Sequence, residues 1–273
     1  MSYKSIGVSM ALEASNRACL TAAIEIAERF DARVIGMAGT IMPAPLYFTD
    51  GQYGEELFKR EEVQLRARLA SAEEEFRNAV GCRIKQIEWR ADLQIAKDFI
   101  PAQARSVDLV IVAAQPETDA DPYSGTSPSD LVMETGRPIL VVPPSTTWFD
   151  PRRILVAWKD TRESRRAILD ALPFLRRADD VIVVEVCPAA DEQAASERVK
   201  DVSAWLLKHG VTASTTTVTE VNAPDDLEAL ASDMNAGLIV AGAYGHSRLR
   251  QWVLGGVTRQ FVTRPSRCVL LSR

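Results

Sequence analysis

The chain has 273 residues, of which 47% are hydrophobic and 25% charged, which is typical of a globular protein and not of a disordered one. Its formal net charge of −5 and the lack of a basic block disfavour nucleic acid as a partner. No apolar run approaches the roughly 20 residues that cross a bilayer, and the first residues lack a secretory signal pattern, so we expect no membrane partner and a cytoplasmic protein.

In chain order, the first half predicts alternating strands and helices. The apolar run KSIGVSM is followed by a helical pattern from about Glu13 to Phe30 and then by the strand ARVIGMA. The segment near 40–58, TIMPAPLYFTDGQYGEELF, contains prolines and glycines and is predicted to be an inserted loop or lid. A long amphipathic helix then ends at Gly81, and VDLVIVAAQ and RPILVVPP predict two further strands.

The second half repeats this order. RRILVAW precedes a helical pattern from about Thr161 to Arg177, DVIVVEV follows, and a second long helix ends at Gly210. AGLIVAGAY and RCVLLSR correspond to the last two strands of the first half, and PPSTTWFDP at 143–151 is a plausible linker. We therefore predict two domains of the same α/β type, at 1–146 and 151–273.

The strands are short, continuous runs rich in Val and Ile, which suits a sheet covered on both faces. Alternation with helices implies right-handed crossovers and a doubly wound parallel sheet of five strands in each domain.

Four glycines lie close together at the end of the strand AGLIVAGAY and after it, within VAGAYGHSRLRQWVLGGVTRQFV at 240–262. Ligands of open parallel sheets bind beyond the carboxyl ends of the strands, where glycines let the backbone approach an anion and the next helix presents free N–H groups. Gly242, Gly245 and the pair Gly255-Gly256 fit this position, and the hydroxyl of Thr258 would be a further donor. Tight packing and a helix cap would explain the same glycines.

The spacing G-x2-G-x9-G, followed by a small residue and Val-Thr, resembles that of the universal stress protein family. The phrase GAYGHSRLRQWVLGGVTR resembles the tandem-domain members, and ILVAWKDTRESRRAI resembles the family's first strand and helix. The resemblance covers essentially the whole chain. It implies two tandem Rossmann-like or flavodoxin-like sandwich domains that bind an adenine nucleotide, ATP or AMP, with or without Mg²⁺.

The resemblance also implies which residues of the C-terminal domain contact the nucleotide. The loop around Val186 would lie near the adenine. Lys159 stands where nucleotide-binding members have an aspartate, and Asp160 is displaced by one position, which puts ribose recognition in doubt. Gly256 stands where the family prefers Ser or Thr, so it keeps the backbone donor and lacks the hydroxyl. The implied phosphate and ribose contacts are Gly242, Gly245, Gly255, Gly256, Val257 and Thr258.

The first copy departs further from the pattern. Ala113 and Pro116 replace the two turn glycines, and proline removes a backbone donor. We expect a degenerate N-terminal site in which Gly125-Thr126 mainly begins a helix. The first copy keeps the strand and the helix without those two glycines. Packing of the strand against the helix therefore does not explain the turn glycines of the second copy, and ligand binding is favoured as their role.

Little in the sequence points to catalysis. Of the two histidines, His246 lies in the glycine loop, where it would contact a phosphate or face solvent, and His209 is placed to interact with a helix C-terminus. No H-x-x-x-H, G-x-S-x-G or Walker-type motif is present, so we assign no catalytic residue and no metal ligand. The four cysteines fall mostly in apolar segments at wide spacing, which predicts buried thiols: Cys19, Cys82, Cys187 and Cys268.

Three hypotheses for function follow. The first is a stress-response or regulatory protein that binds ATP or AMP in its C-terminal domain. The second is an interaction module with a vestigial pocket, acting through the 40–58 insertion or a dimer surface, and the third is a slow ATP hydrolase. By resemblance, the fifth strands of the two domains should pair, making the chain a pseudo-dimer. Association of two chains into a homodimer is a further hypothesis.

Overall fold

The structure is a computed structural model that describes residues 2–42, 51–115, 125–219, 223–244 and 256–273. Its N-terminal half has the predicted alternation of strands and helices, with a short 3-10 helix at Ala104–Ser106. The elements are β1 (Ser5–Ser9), α1 (Arg17–Phe30), β2 (Arg33–Gly39), α2 (Gly51–Val80), β3 (Ile87–Asp92), α3 (Ala96–Gln103), β4 (Leu109–Ala113), α4 (Pro128–Glu134) and β5 (Ile139–Val142).

The C-terminal half repeats the order, again with one short 3-10 helix, at Ala189–Asp191. Its elements are β6 (Arg153–Trp158), α5 (Arg162–Leu175), β7 (Asp180–Cys187), α6 (Glu192–Lys208), β8 (Ser214–Thr219), α7 (Ala223–Asp233), β9 (Leu238–Gly242), α8 (Gly256–Thr263) and β10 (Cys268–Ser272). Among the described helices, none is long and apolar enough to cross a membrane.

All ten strands form one sheet in the order β3-β2-β1-β4-β5-β10-β9-β6-β7-β8. Pairing is parallel within each half, and β5 pairs with β10 antiparallel, with Leu140 opposite Leu270. The predicted contact between the fifth strands is therefore present. Every residue of β5 and β10 is buried, so each strand covers an apolar edge that the other would otherwise expose.

Helices cover both faces of this sheet, and two apolar cores result. In the C-terminal half, Ile154 and Val156 of β6 face the core under α5 and α6, whereas Leu155 faces the core under α7 and α8. The alternation follows from the two-residue period of a strand. Burial on both faces explains why these strands are continuous apolar runs in the sequence.

The insertion predicted at 40–58 is only in part a loop. Residues 43–50 lie outside the described residues, and from Gly51 onward the chain is helical, so that α2 has 30 residues. The prolines that suggested a loop precede Gly51, and the following sequence is rich in the strong helix formers Glu, Lys and Arg. The ion pair of Glu62 with Arg66, one turn apart, adds a little to helix stability.

Two smaller predictions also need correction. Gly210 has the left-handed conformation expected after a helix, with φ of 79°, but Gly81 is not among the described residues with positive φ. A Cβ at Gly81 would lie 2.6 Å from the carbonyl oxygen of Arg77, so this glycine is needed for close approach to the last helical turn. Cys82 is exposed, because it lies just beyond the end of α2, whereas the other three cysteines are buried as predicted.

An aromatic cluster joins the two halves at the amino end of β1. Phe174 of α5 packs against Tyr3, Phe30 and Phe149, with ring centroids 5.0, 5.4 and 5.8 Å away. The hydroxyl of Tyr3 donates a hydrogen bond of 2.6 Å to the carbonyl oxygen of Asp170. All four rings are buried, so this cluster stabilises the contact between the domains in addition to the β5–β10 pairing.

Burial raises the pKa of three thiols, most strongly those of Cys19 and Cys268 and also that of Cys187, which makes stability depend on pH in the alkaline range. Burial, and to a smaller extent the neighbouring Cys268, raises the pKa of Cys19 from the ordinary 9 to about 12, and burial raises that of Cys268 to about 12. Above pH 9 the unfolded chain loses these protons and the folded chain retains them. Stability is therefore complete below pH 9 and falls as the pH rises toward 12.

By pH 10 we expect Cys19 and Cys268 each to have lowered the free energy of unfolding by about 1.4 kcal/mol relative to pH 7. Urea unfolding at pH 7, 9 and 10 measures this loss. In Cys19→Ala, compared with its own value at pH 7, the loss should be smaller than that of the unmodified chain by about 1.4 kcal/mol. If the free energy of unfolding falls by the same amount between pH 7 and pH 10 in this variant and in the unmodified chain, the pH dependence does not come from the Cys19 thiol.

Candidate functional site

The strand order places one crevice in the C-terminal half at the carboxyl ends of β6 and β9. From β6 the chain continues through α5 to β7 on one side, and from β9 through α8 to β10 on the other. Such a reversal of strand order leaves space between the first turns of the two following helices. The predicted site residues around this crevice come from the end of β6, the end of β9 and the start of α8.

The turn from β6 into α5 is held by a compact set of hydrogen bonds. The backbone N–H of Lys159 donates to Oγ of Ser164 at 3.3 Å, and that of Ser164 donates to Oγ1 of Thr161 at 3.3 Å. Thr161 is thereby the N-cap of α5, as its residue type favours. The turn brings the helix N-terminus, with its partial positive charge, to the crevice.

Asp160, the displaced candidate for ribose recognition, is paired within the protein. Its Oδ1 lies 2.5 Å from Nη2 of Arg165, which is one turn into α5, and both side chains are largely exposed. A ribose hydroxyl would have to compete with this guanidinium for the carboxylate. Lys159 is exposed at the same end of β6. Sequence reasoning identified the displaced aspartate but not Arg165, since their pairing depends on the turn geometry.

Next to this turn lies a buried carboxylate, that of Glu163, which is 3% exposed. Burial opposes its ionisation, but hydrogen bonds from Arg162 and from its own backbone N–H outweigh that effect, and the pKa of Glu163 lies below the usual value. Nε of Arg162 is 2.5 Å from Oε1 of Glu163. The negative charge is thus retained at the first turn of α5, where it is favourable for the helix.

Gly242, the last residue of β9, is in contact with that first turn. A Cβ at Gly242 would lie 2.5 Å from the backbone nitrogen of Ser164 and 2.7 Å from the carbonyl carbon of Glu163. Close packing of α5 therefore requires this glycine. The comparison with the first copy, where Ala113 takes the place of Gly242, argued against a packing role, and for Gly242 that argument is wrong.

The start of α8 is described only from Gly256. Helix α8 begins at Gly256, in agreement with the prediction that the glycine pair opens the last helix. Val257 is partly buried against the core under α7 and α8, and Thr258 is 9% exposed. Gly245, His246 and Gly255 lie outside the described residues, so their predicted contacts stay predictions.

On the α7 and α8 face, an apolar surface lies near the carboxyl ends of the C-terminal strands. It consists of partly buried side chains that pack on the core of that face. Val186, near the end of β7, is among them, and its predicted contact with adenine stays a prediction. Such a surface can cover one side of a flat, weakly polar ring. The members near the carboxyl ends of the strands are Ala157, Val186, Val218, Tyr244 and Val257.

Tyr244, two residues after β9, has a conformation that is rare for its residue type. Its φ is 60°, in the left-handed region, which is unusual for a bulky side chain. The preceding residue, Ala243, donates its N–H to the carbonyl oxygen of Ser272 at 2.8 Å, which fixes the chain up to this point. Backbone strain of this kind occurs often at binding sites. This conformation could not be predicted from the sequence, because Tyr is not a residue that a left-handed position normally selects.

The equivalent crevice of the N-terminal half is bridged by side chains. Oγ of Ser9, at the end of β1, and Oγ1 of Thr126, two residues before α4, are 2.9 Å apart and buried. The helix itself begins at Pro128 with Ser127 as its cap, so the predicted helix start at Gly125-Thr126 is displaced by two residues. Ser127 accepts from the N–H of Ser129, which is the usual cap geometry. Pro116 lies outside the described residues.

His209 lies at the C-cap of α6, in agreement with its predicted position at a helix C-terminus. The centroid of its ring lies 4.1 Å from that of the Trp205 ring.

Within the described ranges, no group of three or more His, Cys, Asp or Glu side chains is placed to hold a metal ion.

Comparisons with known proteins agree with this architecture. Residues 151–273 match the model of the Universal stress protein family. No curated protein matches the chain in sequence. The chain is similar over its whole length to a universal stress protein structure from Archaeoglobus fulgidus DSM 4304, with a TM-score of 0.69 at 12% identity, covering 98% of both chains.

Two structures from Pseudomonas aeruginosa are also similar. A functionally unknown protein from strain PAO1 has a TM-score of 0.57 at 14% identity, covering 99% of this chain and 92% of its own. A putative universal stress protein from strain UCBPP-PA14 has a TM-score of 0.53 at 15% identity, covering 99% and 93%. At such identities these similarities show the fold, which here includes both halves of the chain.

Proposed function

Residues 151–273 belong to the universal stress protein family, and from this premise we propose that the protein acts in a stress response by binding one adenine nucleotide, ATP or AMP, in its C-terminal domain. The observation that carries the proposal is the crevice between the first turns of α5 and α8, at the reversal of strand order. Two helix N-termini that face one crevice favour a phosphate group there.

The proposed contacts divide between the two sides of the crevice. Phosphates lie against the start of α8, where Gly256 and Thr258 supply backbone and hydroxyl donors, together with Gly245 and Gly255. The adenine lies on the apolar surface that includes Val186. Because Asp160 is paired with Arg165, we assign the ribose a weaker contact with the end of β6 than an unpaired carboxylate would give. Mg²⁺, where present, would be held by the phosphates.

One nucleotide per chain is proposed because the two crevices differ. In the N-terminal half, the contact of Ser9 with Thr126 links the end of β1 to the segment that precedes α4. In the C-terminal half, the residue that corresponds to Ser9 is Ala157, which has no hydroxyl for such a bridge. This difference supports occupancy of the second crevice alone.

Calorimetric titration with ATP, ADP and AMP, with and without Mg²⁺, tests the proposal. We expect one nucleotide per chain. Thr258→Val should weaken binding about ten-fold or more, because a hydrogen bond to a charged group contributes about 1.5–3 kcal/mol. Thr126→Val, the matched change in the first crevice, should leave the affinity unchanged. Equal affinities of the two variants would contradict the proposed site.

A second candidate, an interaction module with a vestigial pocket, is favoured by two observations. Gly242 is accounted for by packing, and the Asp160 carboxylate is engaged by Arg165. Absence of binding for every nucleotide in the titration, with no small molecule released from the freshly purified protein on denaturation, would support this candidate. Release of an adenine nucleotide, identified by mass spectrometry, would exclude it.

A further inference from the structure

A separate cavity lies between α5 and α6, on the face of the C-terminal sheet opposite to α7 and α8. Its volume of about 360 Å³ is at the lower end of the range for small-molecule sites. None of its lining residues is among those assigned to the nucleotide. They are Trp158, Arg165, Ile168, Asp201, Val202 and Trp205.

The cavity is mostly apolar and contains two indole rings. Trp158, the last residue of β6, is 8% exposed, and Ile168 of α5 is buried beside it. Trp205 of α6 is 39% exposed, and the ring of His209 lies beside it at an interplanar angle of 46°. One tryptophan is therefore almost enclosed by the protein, and the other lies partly in solvent, where a ligand can reach it.

The uncompensated charge of the cavity is negative. Arg165 is already paired with Asp160, so its positive charge is largely neutralised. The carboxylate of Asp201 is exposed and makes no hydrogen bond or ion pair with any residue in the described part of the chain. An anion would be repelled by Asp201, and a neutral molecule would lack the charge–charge attraction that a cation has to it.

We propose that this cavity binds a small organic cation, an ammonium group attached to an aromatic or branched aliphatic body. A cation is attracted to the face of an indole ring and to the carboxylate of Asp201 at the same time. The apolar body would fill the space beside Ile168 and Val202. Partial desolvation by the two tryptophans strengthens both attractions relative to an open surface.

The test uses benzyltrimethylammonium as the cation, with benzyl alcohol and benzoate as neutral and anionic controls of similar shape. Binding is followed by NMR of the indole N–H signals of the five tryptophans, assigned with single Trp→Phe variants. We expect the cation to shift the signals of Trp158 and Trp205, and to leave that of Trp148, which lies in the interdomain linker, in place.

Two matched variants test the charge. Asp201→Asn should weaken binding of the cation about five-fold, which corresponds to a partly exposed charge interaction. Glu197→Gln removes the same charge one helical turn earlier on α6, at an exposed residue that does not line the cavity, and should change the affinity less than two-fold. Both positions are on the surface, so both variants are expected to fold.

Three results would overturn the proposal: equal binding of benzyl alcohol or benzoate, equal affinities of the Asp201→Asn and Glu197→Gln variants, or no shift of the Trp158 and Trp205 signals. Trp205→Ala provides an independent check, because it removes an exposed ring and should reduce the affinity of the cation without unfolding the domain. None of these outcomes depends on whether a nucleotide binds at the other site.

Discussion

Replacing Phe174 with alanine is expected to lower the free energy of unfolding by about 3–5 kcal/mol, the range for a buried phenylalanine. Phe174 is 1% exposed, and its ring is the one that contacts Tyr3 and Phe30 of the N-terminal half and Phe149 of the linker. Its loss leaves a cavity where the two halves meet. Urea unfolding near pH 7, followed by circular dichroism, measures the change.

The matched control is Phe58→Ala on α2, since the ring of Phe58 is 49% exposed. An exposed residue of this kind contributes about 0.5 kcal/mol or less. We also expect the Phe174→Ala transition to become less cooperative, because the contact between the halves is weakened while the helices of each half still pack on their own strands. A loss in Phe174→Ala no greater than in Phe58→Ala would show that the cluster does not stabilise the interface.

Much of the architecture followed from the repeat in the sequence. The runs RRILVAW and KSIGVSM occupy the same place in two copies of one order, and continuous apolar strands alternating with helices specify a parallel sheet. The pairing of β5 with β10 followed from the family resemblance and from the need to cover two apolar edges. These features depend on local pattern and on burial, which a sequence displays directly.

The geometry of the crevice could not be predicted in the same way. The Asp160–Arg165 pair depends on the geometry of the turn between β6 and α5, and the left-handed Tyr244 depends on the backbone after β9. The contact of Gly242 with Ser164 arises from how α5 and β9 meet, and these two segments are distant in the sequence. A glycine after a strand looks the same whether a phosphate or a helix approaches it. Distinguishing the two requires the position of the neighbouring backbone.

The second large effect is expected for Gly242→Val. The added Cβ would overlap the backbone of Glu163 and Ser164, which belongs to a helix and cannot rotate away as a side chain could. Overpacking of a core costs about 1–3 kcal/mol, and contact with backbone places this variant at the upper end or beyond. Thermal unfolding and urea unfolding measure the loss.

Ala113→Val, at the corresponding end of β4, is the matched control, because a Cβ is already accommodated there. It should cost less than half as much as Gly242→Val. Similar losses at the two positions would mean that the α5 contact does not set the requirement for glycine.

The same displacement should abolish nucleotide binding in Gly242→Val, by moving the turn from Lys159 to Ser164 at the edge of the crevice. Loss of binding in this variant is therefore expected whether Gly242 touches a phosphate or only packs against α5. The two roles separate in second-site variants of Gly242→Ala that are selected for recovered stability from substitutions at buried α5 residues such as Ala167 and Ala171, with Thr161 and Ser164 kept unchanged because they hold the turn. If binding returns together with stability, Gly242 acts through packing. If stability returns and binding does not, the backbone at Gly242 contacts the nucleotide directly.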